Sequence, residues 1–251
     1  MNRPTTGKPD ILITAGTTRE MIDKVRCWMN IFTGQTGLDI AKAFMPVANV
    51  TLLTSNPEHQ REFQALVEAS GANGCNCRGF ESHQDLLGIL ESQVQQKAYD
   101  AVLMTAAVSD YQPDGAFEIL SSSQLQGGGE VEYHWIVRRV DRAKIRSSHK
   151  QIAFRGKPTT KIVDLLRPEW GFGGLLVKFK LEVDVAEGEL VKTANRSRLE
   201  SGADLIVANT LEMVRGAAPE AWLIDDFNSR RVPRSGLAAE LQDYVMSRIR
   251  K

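Results

Sequence analysis

Short apolar runs recur along the chain, each closed by a small or turn-forming residue: ILITAG (11–16), VTLLTS (50–55), NCRGF (76–80), AVLMTAAV (101–108), LLVKFKL (175–181) and LIVAN (205–209). Most are continuously apolar, the pattern of strands covered on both faces, and helical patterns fall between them. In SHQDLLGILESQVQQK, Leu86, Leu90 and Val94 share one helical face, and Ser82 with Asp85 forms a capping-box-like start. Pro46 should end the first helix. Near the end, AWLIDDFNSRRVP reads as a hairpin and GLAAELQDYVMSRIRK as an amphipathic closing helix. This alternation predicts an α/β fold, a Rossmann-like, doubly wound, mostly parallel sheet with helices on both faces. There is no internal repeat.

Residues 114–150 break the pattern. A Ser/Gln/Gly tract, read as a mobile loop, precedes strand-like EVEYHWIV and a basic run, and a helix is expected to begin near Thr159. The organisation expected is a short disordered lead over 1–10, then one α/β nucleotide-binding domain over 11–251 with a β flap inserted at about 114–156. Lids and dimer arms often occupy such insertions.

Composition narrows the partners. Lys plus Arg and Asp plus Glu both total 31, so no global field argues for nucleic acid or an acidic membrane. Cys27, Cys75 and Cys77 offer neither a metal spacing nor an even disulfide set, which points to a reducing, cytoplasmic setting. Cys75 and Cys77 read as small core residues. No apolar run approaches the roughly 20 residues that span a bilayer, and MNRPTTGKPD lacks the apolar core of a signal peptide.

Four clusters carry chemistry. Gly16 closes the first strand, and Thr33-Gly34-Gln35-Thr36-Gly37 opens a helix, so backbone amides and a helix dipole favour an anion there. TAAVSDYQP (105–113) puts the small Ala106 and Ala107 beside Asp110; by itself Asp110 reads better as a turn or cap residue. AKIRSS (143–148) offers Lys144 to a charged phosphate or acyl phosphate, although a basic run is more often a solvated face. Thr159-Thr160-Lys161-Ile162 follows, with two good N-cap residues. Phe179, on a strand, could stack on a base or belong to the core. A dinucleotide loop is disfavoured because Thr17-Thr18-Arg19-Glu20 follows Gly16 in place of further glycines, and no GxxxxGK[ST] is present.

Together these segments resemble the phosphopantothenoylcysteine synthetases (phosphopantothenate-cysteine ligases) of coenzyme A biosynthesis. TAG-TTRE-MID-KVR, Asn30 with its Thr-Gly-x-x-Gly turn, AAVSDYQP, the flap lysine with TTKI, and FKLE with a later Ala-Asn pair follow that family's order from residue 11 to about 240. The resemblance implies ATP- or CTP-dependent joining of phosphopantothenate to L-cysteine through an acyl nucleotidylate, with Mg²⁺ on the triphosphate and no protein metal site. It further implies Asn30 and Lys144 as catalytic residues, Arg26, Gly34, Gly37, Ala106 and Ala107 at the substrate, and Gly16, Asp110, Thr159, Thr160, Lys161, Ile162 and Phe179 at the nucleotide. For Arg26 a structural pair with Glu20 or Asp23 competes with phosphate binding. Ser197 and Ser201 stand where fused bacterial members carry nucleotide-contacting lysines, leaving Arg196 and Arg198 as possible substitutes. The chain looks like the free-standing form, a homodimer paired through 131–155, with the pathway's decarboxylase on a separate protein. Two alternatives remain, a non-catalytic nucleotide-binding homologue and a nicotinamide-dependent reductase.

Overall fold

The computed structural model describes residues 7–127, 130–141 and 143–249; the first six residues of the expected lead, and Gly128 and Gly129 of the expected loop, lie outside the described residues. In chain order the elements are β1 (Asp10–Ala15), β2 (Arg19–Met21), β3 (Cys27–Met29), α1 (Gln35–Phe44), β4 (Asn49–Thr54), α2 (Pro57–Ser70), β5 (Asn76–Gly79), α3 (His83–Gln96), β6 (Ala101–Met104), β7 (Tyr111–Gly127), β8 (Glu130–Arg139), β9 (Ile152–Pro158), β10 (Leu175–Glu182), α4 (Glu187–Glu200), β11 (Leu205–Thr210), α5 (Leu211–Arg215), β12 (Glu220–Ile224), β13 (Ser229–Pro233) and α6 (Leu237–Ile249). They form two compact units. One holds residues up to 18, 31–107 and 161 onward; the other holds 19–30 and 108–160. The flap expected at about 114–156 is thus part of a larger unit that also takes in 19–30.

The first unit is built on an eight-stranded sheet in the order β13-β12-β11-β10-β6-β1-β4-β5. Strands β5, β4, β1, β6, β10 and β11 are parallel, and the β12–β13 hairpin adds an antiparallel edge. Alternate residues of each central strand face opposite sides, so a continuously apolar run covers two cores. Ile11, Ile13, Val177 and Val207 pack with Leu38, Phe44, Phe63 and Leu241. Ile206 and Ala208 pack with Leu190 and Ala194 of α4.

Local signals start and stop the helices. Ser82 and Asp85 complete a reciprocal capping box on α3, and Asn56 accepts from the Glu58 amide at the start of α2, where Pro57 takes the first helical position. Helix α1 ends at Phe44, two residues before Pro46. Asp10, expected in the lead, instead opens β1, its amide held by the Asp100 carboxylate.

The strand order fixes where a ligand belongs. From β1 the chain winds outward to β4 and β5, then crosses to β6 on the other side of β1. Such a reversal leaves a crevice at the carboxyl ends of the two adjacent strands, here β1 and β6.

The second unit contains the three-stranded antiparallel sheet β8-β7-β9 and the short hairpin β2–β3. The expected mobile loop is corrected here: 121–126 lie within β7 and pair with β8. Ser121, Ser122, Ser123 and Gln124 are exposed, so neither face demanded apolar residues and no alternation marked the strand. Lys144 is corrected too, from a strand-like flap to a bend in the loop between β8 and β9.

Candidate active site

In the first unit, the first turn of α1 rests on the ends of β1 and β6. Gly34 adopts a left-handed conformation, φ 88°, and caps α1 with no side-chain hydrogen bond. A β-carbon at Gly37 would collide with the Thr105 hydroxyl and Ala15. No acidic residue occupies the first turn, and the leading amides of an α-helix have no partner within it. The result is an electropositive, uncapped helix start above the switch point, suited to a phosphate.

The strand ends beneath it are cross-tied. Thr17 donates its amide to Ser55 Oγ at 2.8 Å and its hydroxyl to the Ala107 carbonyl at 3.0 Å. The Ala106 amide donates to Thr14 Oγ1 at 3.2 Å, and that of Ala107 to the Gly16 carbonyl at 2.9 Å. Ala106 and Ala107 therefore offer a ligand close approach rather than unpaired amides. Gly16 is left-handed, φ 86°, and a β-carbon there would overlap Ser55 Oγ. Sequence reasoning missed Ser55 and Thr105, since a single hydroxyl at a strand end carries no local mark.

Other nucleotide candidates of this unit are dispersed. Phe179 is half-buried against the main core. Ile162 is buried, and Lys161 is exposed just ahead of it. The helix expected near Thr159 is corrected to a single 3-10 turn, Ile162–Leu165, with no side-chain cap, so TTKI makes no helix-start phosphate cradle. Ser197 of α4 and Ser201 just after it have a different partner from the one expected of lysines: buried Lys178 donates to Ser197 O, Ser197 Oγ and Ser201 Oγ, each at 3.1 Å. Burial lowers the Lys178 pKa. Arg198 is itself buried, bonded to Asn195, the Ala203 carbonyl and Asp226, and cannot replace those lysines at the surface; Arg196 is exposed.

In the second unit, Asp23 organises the loop that carries Lys144. One carboxylate oxygen accepts from the Val25 and Arg26 amides at 2.8 and 2.9 Å. The other accepts from the Ile145 amide at 3.1 Å and from Arg26 Nη1 at 3.0 Å. Arg26 Nη1 also donates to the Ile145 carbonyl at 3.2 Å, and the Lys24 amide to that of Ala143 at 3.0 Å. The hydrogen bond from Ile145, followed by those from Val25 and Arg26, holds the Asp23 carboxyl below its usual range against the opposing effect of burial. Arg26 takes the structural pairing with Asp23, while 43% of its side chain stays exposed. Lys144 is exposed between two pinned neighbours, and Asn30 is half-buried just after β3. Asp110 is exposed and caps no helix; its carbonyl accepts from the Thr159 amide at 2.9 Å, and the Thr159 hydroxyl donates to the Ser109 carbonyl at 2.5 Å. Thr160 follows and is exposed.

The chain has relatives among known proteins. Residues 6–119 match the family model of the DNA/pantothenate metabolism flavoprotein C-terminal domain. The crystal structure of the DNA/pantothenate metabolism flavoprotein from Streptococcus pneumoniae superposes with a TM-score of 0.73 at 26% identity, over 96% of this chain and 99% of that one. The chain is similar to this family in sequence over residues 6–119 and in fold throughout. The coenzyme A biosynthesis bifunctional protein CoaBC of Thermococcus kodakarensis is 29% identical over 239 residues, 94% of this chain and 50% of that protein, so the chain spans about half the length of this curated relative. A Cab2 mutant in complex with phosphopantothenate-cysteine shares the fold, with a TM-score of 0.65 at 16% identity over 97% of this chain and 89% of that one. This likeness agrees with the family resemblance read from the sequence, and residues 6–119 include TAG-TTRE and AAVSDYQP. Among the described residues no helix is long and apolar enough to cross a membrane.

Proposed function

We propose that this chain is a phosphopantothenate-cysteine ligase. The observation that carries the reading is the uncapped first turn of α1 seated on Gly16 at the β1–β6 switch point, a site for a phosphorylated substrate. The name of the Thermococcus relative adds coenzyme A biosynthesis. A carboxylate is a poor acyl donor to an amine at neutral pH, so it must first acquire a leaving group. The phosphopantothenate carboxylate attacks the α-phosphate of CTP or ATP, giving an acyl nucleotidylate and pyrophosphate. The cysteine amine then attacks the acyl carbon, and the nucleoside monophosphate leaves.

The protein's task in such a reaction is positioning and charge neutralisation. We assign Asn30 to holding the acyl nucleotidylate during amine attack, because an amide can donate to the oxyanion and accept from the amine. Lys144 opposes the charge that develops on the α-phosphate, a role supported by a backbone pinned on either side of an exposed ammonium. Gly16, Asp110, Thr159, Thr160, Lys161, Ile162 and Phe179 stay assigned to the nucleotide by resemblance alone, as does Arg26 to the substrate. Mg²⁺ would offset charge on the triphosphate; it keeps most of its waters there and needs no dedicated protein cage.

We also propose a homodimer through the second unit. Val131, Tyr133, Trp135 and Val137 alternate along β8 onto one face and are 42–60% exposed. Tyr133 and Trp135, with Ile119 and Ile152, line an open recess of about 380 Å³. An aromatic stripe of this kind is costly to leave in water. The decarboxylase of the pathway is assigned to another polypeptide region or protein.

Pyrophosphate release, measured with phosphopantothenate, L-cysteine and each of ATP, CTP, GTP and UTP, tests the reading and reveals the nucleotide. A non-catalytic nucleotide-binding homologue would release none. In Asn30→Asp, one pyrophosphate per site with no amide product is expected; turnover at the wild-type rate would remove Asn30 from the reaction.

A further inference from the structure

Within the second unit, the turn joining β2 to β3 grips the loop between β8 and β9, and four cations meet there: Lys24, Arg26, Lys144 and Arg146. Lys24 and Arg146 have no part in the chemistry described above. The Lys24 amide donates to the Ala143 carbonyl at 3.0 Å, which sets Lys24 beside the residue that precedes Lys144. Arg26 Nη1 donates to the Ile145 carbonyl at 3.2 Å, which sets its guanidinium against the Ile145–Arg146 peptide. Ile145 is buried, while Lys144 and Arg146 on either side of it are exposed, as are Lys24 and Arg26.

Two observations separate this cluster from a solvated basic face. First, its charge is not balanced from within the protein. Asp23 is the only carboxylate among residues 22–26 and 143–150; its side chain is fully buried and already accepts the four hydrogen bonds described above. Lys24, Lys144 and Arg146 make no ion pair among the described residues, whereas Arg138, Arg139 and Arg155 of the same unit pair with Glu118, Asp141 and Asp114. A free loop would let like charges separate. Here backbone hydrogen bonds hold them together, and a bound anion would offset their repulsion. Secondly, Arg26 is anchored by one nitrogen alone. Nη1 bonds Asp23 and the Ile145 carbonyl, while Nε and Nη2 have no hydrogen-bond partner among the described residues and 43% of the side chain is exposed. Nε and Nη2 form one edge of the planar group, and their parallel N–H bonds match two oxygens of a phosphate.

We propose that Lys24, Arg26 and Arg146 form one binding site for a phosphate group of the ligase's substrates. The Arg26 edge donates to two phosphate oxygens, and Lys24 and Arg146 supply the remaining positive charge. The proposal rests on the ligase reading and deepens it: Lys144 meets charge that develops at the reacting phosphate, whereas these three residues hold a phosphate that is already charged in the ground state. The same chemistry has two sources, the monoester of phosphopantothenate and the terminal phosphates of the nucleotide.

Titration calorimetry on the whole protein separates the sources, using 4′-phosphopantothenate, pantothenate, and CTP and ATP with Mg²⁺, with pyrophosphate release giving KM. The double variant Lys24→Gln, Arg146→Gln should melt as wild type does, because both side chains are exposed. It should bind one of the phosphorylated ligands about tenfold or more weakly, a loss that shrinks at high salt, and keep pantothenate binding within about threefold. Lys150→Gln, which removes another exposed lysine of the same loop, should change each affinity by less than about threefold. A loss confined to phosphopantothenate identifies the monoester as the bound group, and a loss confined to the nucleotides identifies their terminal phosphates; either supports the proposal. Equal losses toward both, or a like loss in Lys150→Gln, would reveal a general basic field and overturn it. Losses below about threefold, or a wild type that binds neither phosphorylated ligand, would overturn it as well. If pyrophosphate is released and both KM values survive the double substitution, the proposal falls and the ligase reading stands. If no nucleotide yields pyrophosphate while the double variant still loses one phosphorylated ligand, the phosphate site stands and the ligase reading falls.

Discussion

Gly34 rests directly on Gly16: a β-carbon at Gly34 would lie 2.5 Å from Gly16 Cα and nearer still to its amide nitrogen. The contact joins the start of α1 to the end of β1 and is possible only without a side chain. Gly34 is also left-handed, φ 88°, which costs an L-residue about 1–2 kcal/mol, and overpacking a close contact adds about 1–3 kcal/mol. Gly34→Ala should therefore lower the unfolding free energy by roughly 2–5 kcal/mol and lift the first turn of α1 from the strand ends. Chemical denaturation gives the first quantity, and phosphopantothenate titration the second. A variant with wild-type stability and affinity would show that the two backbones need not touch.

Asp23 and Lys144 are linked through the backbone of the intervening loop residue rather than directly. All four hydrogen bonds to Asp23 require acceptors, and Asn would turn one of its two acceptor atoms into a donor facing N–H groups. Asp23→Asn should free the segment around Lys144, so that trypsin cuts after Lys144 or Arg146 several-fold faster than in wild type. Acid should act in the same way. Because the folded-state pKa of Asp23 is depressed, its contribution is present above the unfolded value near 3.8 and is lost as pH falls through the lower folded value. Unchanged cleavage in the variant would show that other contacts hold this loop.

The parallel sheet was legible because its central strands β1 and β4, fully buried beyond Asp10 and Asn49, needed apolar residues on both faces; ILITAG and VTLLTS show this without any neighbour. The α3 capping box and the β12–β13 hairpin were equally local, written in Ser82 with Asp85 and in the DDFNS turn. Strand β7 was not legible: exposed serines and glutamine obey no face rule, and its pairing with β8 is a backbone property. Thr159 and Thr160 looked like N-caps, but the Thr159 amide and hydroxyl bond carbonyls of residues 109–110 instead. Gly16, Gly34 and Gly37 stand out in the sequence as turn glycines, and each meets a steric need in the fold. The Arg234–Thr36 hydrogen bond does not, as the two residues lie 198 positions apart and nothing near either indicates the other.

His59 gives the first unit a pH dependence of its own. It is 7% exposed, and its Nδ1 is a buried atom with no hydrogen-bond partner. The charged groups acting on it are Asp39 and Lys42 of α1 and Glu58 and Glu62 of α2; burial dominates and lowers its pKa below 6.5. The folded state thus holds a neutral imidazole, whereas the unfolded chain takes up a proton below about pH 6.5. Stability should be unaffected by this group above that pH, decline as pH falls below it, and level off beneath the folded pKa. Urea unfolding of wild type and His59→Leu at pH 7.5 and 5.5 checks the sign: the variant should lose less stability on acidification. Equal losses in both proteins would assign the dependence to other groups.

Lys144 separates a catalytic flap from a solvated loop. A cation that meets charge appearing on the α-phosphate acts in the transition state far more than in the bound nucleotide, so Lys144→Gln should reduce kcat by on the order of a hundredfold or more with little change in nucleotide affinity. The fold itself should be indifferent, because the side chain is exposed and its loop is fixed through backbone groups of Ala143 and Ile145. Exposed charges without such a task contribute little, and a solvated lysine predicts a rate within about threefold of wild type, less than roughly 1 kcal/mol. Saturating single-turnover measurements of pyrophosphate release, made beside a thermal melt, decide between them. A hundredfold loss at an unchanged melting temperature would place Lys144 at the reacting phosphate, whereas a near-normal rate would return it to solvent and leave the α-phosphate charge to another cation.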